Sequence, residues 1–263
     1  MNILRFLCIN CCANLRKRRK IGLKKHLFCW RFLSYLLASS ILFAFLFGIA
    51  QTTNTKAERN TMLPQSFSSQ KTVVLDAGHG GEDGGASSAD GILEKDLNLA
   101  LALTMRDILM ANGINVILTR ETDTLLYDRN VDFHGRKKIL DMQARIQITN
   151  AAINPVFVSL HMNTYPNPSC KGVQVWYSSN NEASEELAKV IHATTQELLQ
   201  HENDRPVKRS GSSIYLLHHL ECPAVLVECG FLSSPEEAAL LNDAAYRQQL
   251  ALTLCMGILR GIA

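Results

Sequence analysis

Three apolar runs in this chain end on a residue able to bind a metal or move a proton. Val73-Val74-Leu75-Asp76-Ala77-Gly78-His79 is a β-branched stretch that breaks into glycines with an imidazole at the break. Val156-Phe157-Val158-Ser159-Leu160 finishes on His161, and Ala224-Val225-Leu226-Val227 finishes on Glu228. A fourth residue, Glu94, opens the helical pattern that follows the first glycine loop. Two imidazoles and one carboxylate make the protein share of a catalytic zinc shell, with a further position open to water. Zinc brings the pKa of such a water toward about 7 and polarises a carbonyl oxygen. A second carboxylate then takes the water's proton and passes it to a leaving nitrogen. Glu94 and Glu228 both qualify, and residue type alone does not say which is ligand and which is base.

Each residue also has a plainer reading. A histidine at a strand end is commonly structural, and a glutamate at a helix start commonly faces the helix dipole. Glu228 is harder to explain that way, because burying an unpaired carboxylate at the end of an apolar strand is expensive. Asp83, Asp90 and Asp96 are rival carboxylates near His79. His218-His219 is the rival histidine pair; read as part of a short strand, its side chains point to opposite faces and cannot share one metal. His134, His192 and His201 have no partner pattern.

The positioning elements follow from periodicity. Strands are expected at residues 73–77, 116–119, 156–160, 172–177 and 224–227, with a shorter one at Ile214–Leu217. Helices are expected from Glu94 to a cap at Asn112-Gly113, from Arg136 to Ala152, from Glu182 to about His201, and then at Pro235–Leu241 and Ala244–Leu259. Strands alternating with helices imply one α/β domain, a twisted and mostly parallel sheet of about six strands with helices on both faces. Ligands of such sheets bind beyond the carboxyl ends of the strands. His79, His161 and Glu228 all arrive at that edge, and Glu94 starts the helix beside it.

The 263 residues divide unevenly in charge. Of 27 Lys and Arg, nine lie in residues 1–50, which contain no Asp or Glu; the other 213 residues hold 18 basic and 24 acidic groups. The main domain thus carries no nucleic-acid footprint. A basic segment, 1–31, precedes the nineteen uncharged residues Phe32–Ala50. At 1.5 Å per residue these roughly match a hydrocarbon core of about 30 Å. The positive-inside rule keeps residues 1–31 in the cytoplasm and sends the rest across. No clear Ala-x-Ala site follows, so an uncleaved anchor is favoured over a cleaved signal, which would release a secreted enzyme. Residues 51–70 read as a polar linker and 71–263 as the extracytoplasmic catalytic domain. Cys170, Cys222, Cys229 and Cys255 share that oxidising side, but their irregular spacing favours free thiols over a structural disulfide.

The four motifs together resemble the zinc-dependent N-acetylmuramoyl-L-alanine amidases of bacterial cell walls. The resemblance spans residues 72–262. It rests on Leu75–Gly81 with Asp83-Gly84-Gly85-Ala86, on Leu93-Glu94-Lys95-Asp96, on Ser159–Asn163 and on Pro223–Ser233. The usual Asp-Pro-Gly of that family stands here as Asp76-Ala77-Gly78, which removes a turn proline and no ligand. The resemblance implies that His79, Glu94 and His161 bind Zn²⁺ and that Glu228 is the catalytic carboxylate. It also implies that Asn163 and Arg145 lie near the substrate. The implied reaction is hydrolysis of the amide between the lactyl group of N-acetylmuramic acid and L-alanine in peptidoglycan.

Within the family, the anchor and the segment Arg136–Arg145 look most like the sporulation and germination-specific members, which prepare muramic lactam in spore cortex. A vegetative amidase of cell separation is the alternative within the family. Outside it stand another zinc peptidase or deacetylase acting on wall fragments, and a wall-binding module without activity. The intact set of four residues argues against the last. Glycan and stem-peptide preference, oligomeric state and any activating protein partner are not written in the motifs.

Overall fold

A computed structural model describes residues 70–263, apart from 129 and 131–134. The expected cytoplasmic segment 1–31, the membrane span 32–50, nearly all of the linker 51–70, and His134 lie outside the described residues. Among the described residues no helix is long and apolar enough to cross a membrane.

Six strands form one sheet: β1 (Thr72–Ala77), β2 (Asn115–Leu118), β3 (Pro155–Asn163), β4 (Gln174–Tyr177), β5 (Lys208–Arg209) and β6 (Ala224–Phe231), in the spatial order β2-β1-β3-β6-β4-β5. β1 pairs in parallel with β2 and β3, and β3 with β6. β4 runs antiparallel to β6, and β5 follows β4 in parallel. Six helices accompany them among the described residues: α1 (Glu94–Ala111), α2 (Lys137–Ala151), α3 (Ala183–Leu198), α4 (Tyr215–His219), α5 (Pro235–Asn242) and α6 (Ala244–Ile262).

Because strand side chains alternate, each strand divides its residues between two environments. Leu75, Val158, Leu160, Val175, Val225 and Val227 pack with α1, α3 and α6 in the main apolar core. Val74, Phe157, Ala224 and Leu226 pack on the other face with α4 in a much smaller cluster, which α2 joins through half-buried Met142 and Ile146. Strands β1, β3 and β6 are buried nearly end to end, as expected of parallel strands covered by helices on both sides.

Two local expectations need correction. Ile214–Leu217 is not a strand: Tyr215–His219 forms a single helical turn whose Leu216 and Leu217 are buried against the smaller cluster. Four apolar residues in a row carry no period, and here burial favoured the turn. The edge strand β5 was not expected; its two residues are exposed and pair only with Trp176 and Tyr177. Cys170, Cys222, Cys229 and Cys255 are free, as expected, and Cys229 packs as a small apolar side chain in the main core.

Candidate metal centre and catalytic carboxylate

β1 ends at Ala77, and two residues later His79 adopts a left-handed backbone with φ 61°. A β-branched or bulky residue rarely sits there, and the surroundings must enforce it, at about 1–3 kcal/mol. β3 continues to Asn163 and holds His161 directly beside Glu228 of β6 in the parallel register. Glu94 is the first residue of α1, only 3% exposed. Its position is set by amides rather than by a helix cap: Oε2 accepts from Ala86 N at 2.7 Å, and Oε1 accepts from Met162 N at 3.0 Å.

These three side chains converge. Glu94 Oε1 lies 2.9 Å from His161 Nδ1 and 3.3 Å from His79 Nε2. One ligand atom from each of His79, Glu94 and His161 lies within 4.8 Å of the others. The far nitrogen of His79 is also held, with Nδ1 2.9 Å from Asp83 Oδ2. A carboxylate on that nitrogen fixes the tautomer and turns Nε2 toward the cluster. Asp83 is therefore an orienting partner of His79 and not a rival ligand, while Asp90 and Asp96 are exposed. Two glycines make the convergence possible. A Cβ on Gly78 would run into the His161 ring, and one on Gly85 would come within 2.5 Å of Glu94 Oε2.

The electrostatics fit a cation. Burial disfavours the charged form of His79, yet hydrogen bonds and charge from Glu94, then Asp83, outweigh it and raise its pKa. Burial likewise opposes ionised Glu94, but His161 and His79 hold it far below the usual carboxylate range. Both nitrogens of His79 thus face carboxylate oxygens, and a divalent cation held by this cluster would replace a proton there. Two imidazoles and a carboxylate are a donor set for a divalent transition metal.

Glu228 behaves differently. Burial pushes its carboxyl up to about 7; His161 and His79 pull it down, and Glu94 pushes it further up. Its Oε2 is sealed from solvent without a hydrogen-bond partner among the described residues. Such an orphaned oxygen, next in register to a residue that could bind a metal, is able to accept a proton. Gln174 stands opposite Glu228 on β4, and its Oε1 is orphaned in the same way. The motifs did not single out Gln174, since nothing in Val173-Gln174-Val175 marks it except a polar residue between two valines.

The two expected substrate contacts diverge. Asn163 is half-buried, two residues beyond His161 and past a register shift, with Oδ1 accepting from Thr164 N at 2.8 Å. Arg145 is 2% exposed and does not reach the cleft. Its guanidinium meets Asp76 and Asp141, and it donates to Ala77 O at 2.8 Å and His79 O at 2.9 Å. The substrate contact expected of Arg145 is corrected to a buried brace behind the His79 loop. His218 and His219 lie on α4; His219 Nδ1 meets Tyr215 O at 2.8 Å and its ring stacks on Tyr215.

The sheet, a His-Glu-His cluster that could hold a metal ion and a buried carboxylate beside it fit a hydrolase of the α/β type. Residues 73–260 match the N-acetylmuramoyl-L-alanine amidase family, and the chain belongs to that family. It is 36% identical over 230 residues to the germination-specific N-acetylmuramoyl-L-alanine amidase of Bacillus subtilis (strain 168), covering 88% of this chain and 94% of that one. It is 30% identical over 234 residues to the amidase AmiA of Escherichia coli (strain K12), covering 72% and 75%. Among solved structures, the CwlD amidase of Clostridioides difficile, in complex with the GerS lipoprotein, superposes with a TM-score of 0.68 at 38% identity over 73% of this chain and 98% of that one.

Proposed function

We propose that this chain is a zinc amidase that frees stem peptides from N-acetylmuramic acid in the peptidoglycan of the spore, acting in cortex maturation or germination. The observation that carries the reading is the convergence of His79, Glu94 and His161 on one point with Glu228 in register beside it. The spore assignment is supported by the likeness to a germination-specific amidase along nearly its whole length. Residues 32–50 serve as the anchor that keeps the catalytic domain outside the membrane, on the substrate's side; this rests on the charge and hydropathy pattern.

His79, Glu94 and His161 would hold the zinc ion, which would supply an acidified water and Lewis-acid polarisation of the muramoyl carbonyl. The residues divide the remaining work. Asp83 keeps Nε2 of His79 free for the metal. Glu228 Oε2 takes the proton of the attacking water and delivers it to the alanine nitrogen as the C–N bond breaks. The products are the lactyl carboxylate of the glycan and a peptide with a free L-alanine amino group. Asn163, at the end of β3, contacts the glycopeptide in this reading, a role that rests on the family resemblance.

Mass spectrometry of purified peptidoglycan after incubation with the full-length chain in detergent tests this. Release of peptides beginning with L-alanine, with the glycan intact, is expected, as is its loss with a chelator and its return with zinc. Products that retain the muramoyl–alanine bond, or cleavage indifferent to chelator, overturn the reading.

A further inference from the structure

Behind the metal cluster two arginines are buried, and they are held in different ways. Arg145 is balanced by two carboxylates, Asp76 and Asp141. Arg120, 3% exposed and two residues beyond β2, has no hydrogen bond or ion pair to a carboxylate among the described residues. Its guanidinium is used entirely on backbone carbonyls: Nε donates to Ala77 O at 2.9 Å, Nη1 to Thr122 O at 3.1 Å, and Nη2 to Gly78 O at 3.1 Å and Lys95 O at 2.8 Å. Burial, and then the charge of Arg145, lower its pKa, while Asp76, Asp123 and Asp141 oppose this through charge alone, without a hydrogen bond to it. Desolvating a guanidinium on neutral acceptors is a poor way to stabilise a fold.

The carbonyls it chooses are informative. Gly78 immediately precedes the ligand His79, and Lys95 immediately follows the ligand Glu94. A single nitrogen, Nη2, therefore ties the backbone before one ligand to the backbone after another. The loop that Nη1 anchors through Thr122 closes the same circuit: Asp123 Oδ1 accepts from Gly81 N at 2.6 Å, and Lys95 Nζ donates to Asp123 Oδ2 and to Gly81 O, both at 2.7 Å.

We propose that Arg120 is a positioning residue that sets the span between the metal ligands His79 and Glu94 by holding Gly78 O and Lys95 O on one guanidinium nitrogen. The planar fork is what the task needs: its donors keep fixed directions, whereas a lysine ammonium is a single point on a flexible stem. Arg120 touches neither metal nor substrate, so its effect appears in metal affinity before it appears anywhere else. The proposal rests on the three-residue metal site, and the experiment separates the two.

Zinc dissociation constants are measured by competition with a chromophoric chelator on the full-length chain and on Arg120→Lys. The pair is repeated in a Glu94→Ala background. In the parent chain Arg120→Lys is expected to weaken zinc about 10–100-fold, the range for losing an orienting partner of a ligand. In the Glu94→Ala background no span remains to be set, and the same change is expected to weaken zinc less than about 3-fold. Arg120→Gln, which removes the buried charge and keeps two donors, is carried alongside and is expected to weaken zinc in the same pattern should the lysine variant fail to fold. Equal losses in both backgrounds mean a general structural role and overturn the proposal, as does an unchanged constant in the parent. A parent chain that binds no zinc overturns the metal-site reading itself.

Discussion

Leu160 and His161 are neighbours in β3, and the pleat sends them to opposite faces of the sheet. Leu160 enters a core built by α1, α3 and α6, where its neighbours in register on β1 and β6 are Ala77 and Val227. His161 enters the face covered by the short α4 and by α2, beside Glu228 and in line with Gln174 across β6. Asp76 and Ser159 are paired one step deeper on that second face, and Ser159 Oγ donates to Asp76 Oδ2 at 2.6 Å. One face thus collects the apolar burial that holds the domain together. The other gives up apolar contacts for a polar row under a thinner helical cover. Stability and chemistry are separated by a rotation of one residue along the same strands.

The largest expected effect breaks the polar row at His161, its proposed metal ligand. His161→Ala should abolish hydrolysis and remove the metal, read as metal per chain by plasma mass spectrometry, while the domain remains folded by circular dichroism. Glu228→Gln comes next. It should lower kcat by about 10²–10⁴-fold, the usual range for a general acid–base, with metal content unchanged. If Glu228→Gln loses the metal, or His161→Ala keeps it, the division of roles along the row is wrong. The counterpart on the thick face is Leu160→Ala, one position from His161 and fully buried. It should cost about 2–5 kcal/mol of stability in denaturant unfolding. Metal content and kcat, measured well below the transition, should stay within about 3-fold of the parent, because that side chain never meets the polar row.

The same separation explains what the sequence made legible. Each functional strand is a short β-branched run, and an apolar run that stops on His or Glu stands out without any tertiary knowledge. His79, Glu94, His161 and Glu228 were therefore readable, and so were the order and direction of the main strands. The supporting residues were not. Arg120 reaches Ala77 and Gly78 from more than forty positions away, and Arg145 reaches His79 from sixty-six. Such contacts depend on how β1, β2 and α2 stack, and they leave no local period. Arg145 was expected near the substrate on the family resemblance alone; the fold instead buries it against Asp76 and Asp141. Asp83 was visible four residues from His79, but a glycine loop does not announce which way a carboxylate turns. The turn at Tyr215–His219 was misread because a run of apolar residues suits a buried strand and a buried turn equally well.

The smallest expected effect sharpens the contrast most, since it reverses the usual sign of a damaging mutation. Glu228 keeps a proton up to about 7 in the folded chain, against an ordinary value near 4.5, mainly because burial disfavours its charge. The unfolded chain releases that proton near the ordinary value. Between those two pH values the native state binds more protons than the unfolded state, so this group lowers stability progressively as pH rises and leaves it unaffected below about 4.5. Gln carries no charge to desolvate. In chelator-treated protein, Glu228→Gln should therefore raise the melting temperature by roughly 2–4 °C at pH 8, equivalent to about 1 kcal/mol for a domain of this size. The gain should vanish at pH 4. With metal restored the gain should shrink, because a cation beside Glu228 offsets the cost of its charge. A variant that hardly turns over substrate yet melts higher is what a strained polar row on a thin face predicts. A fall in melting temperature at pH 8 would show instead that the Glu228 carboxylate is satisfied in the fold, and that the polar row, like the apolar face, contributes to stability.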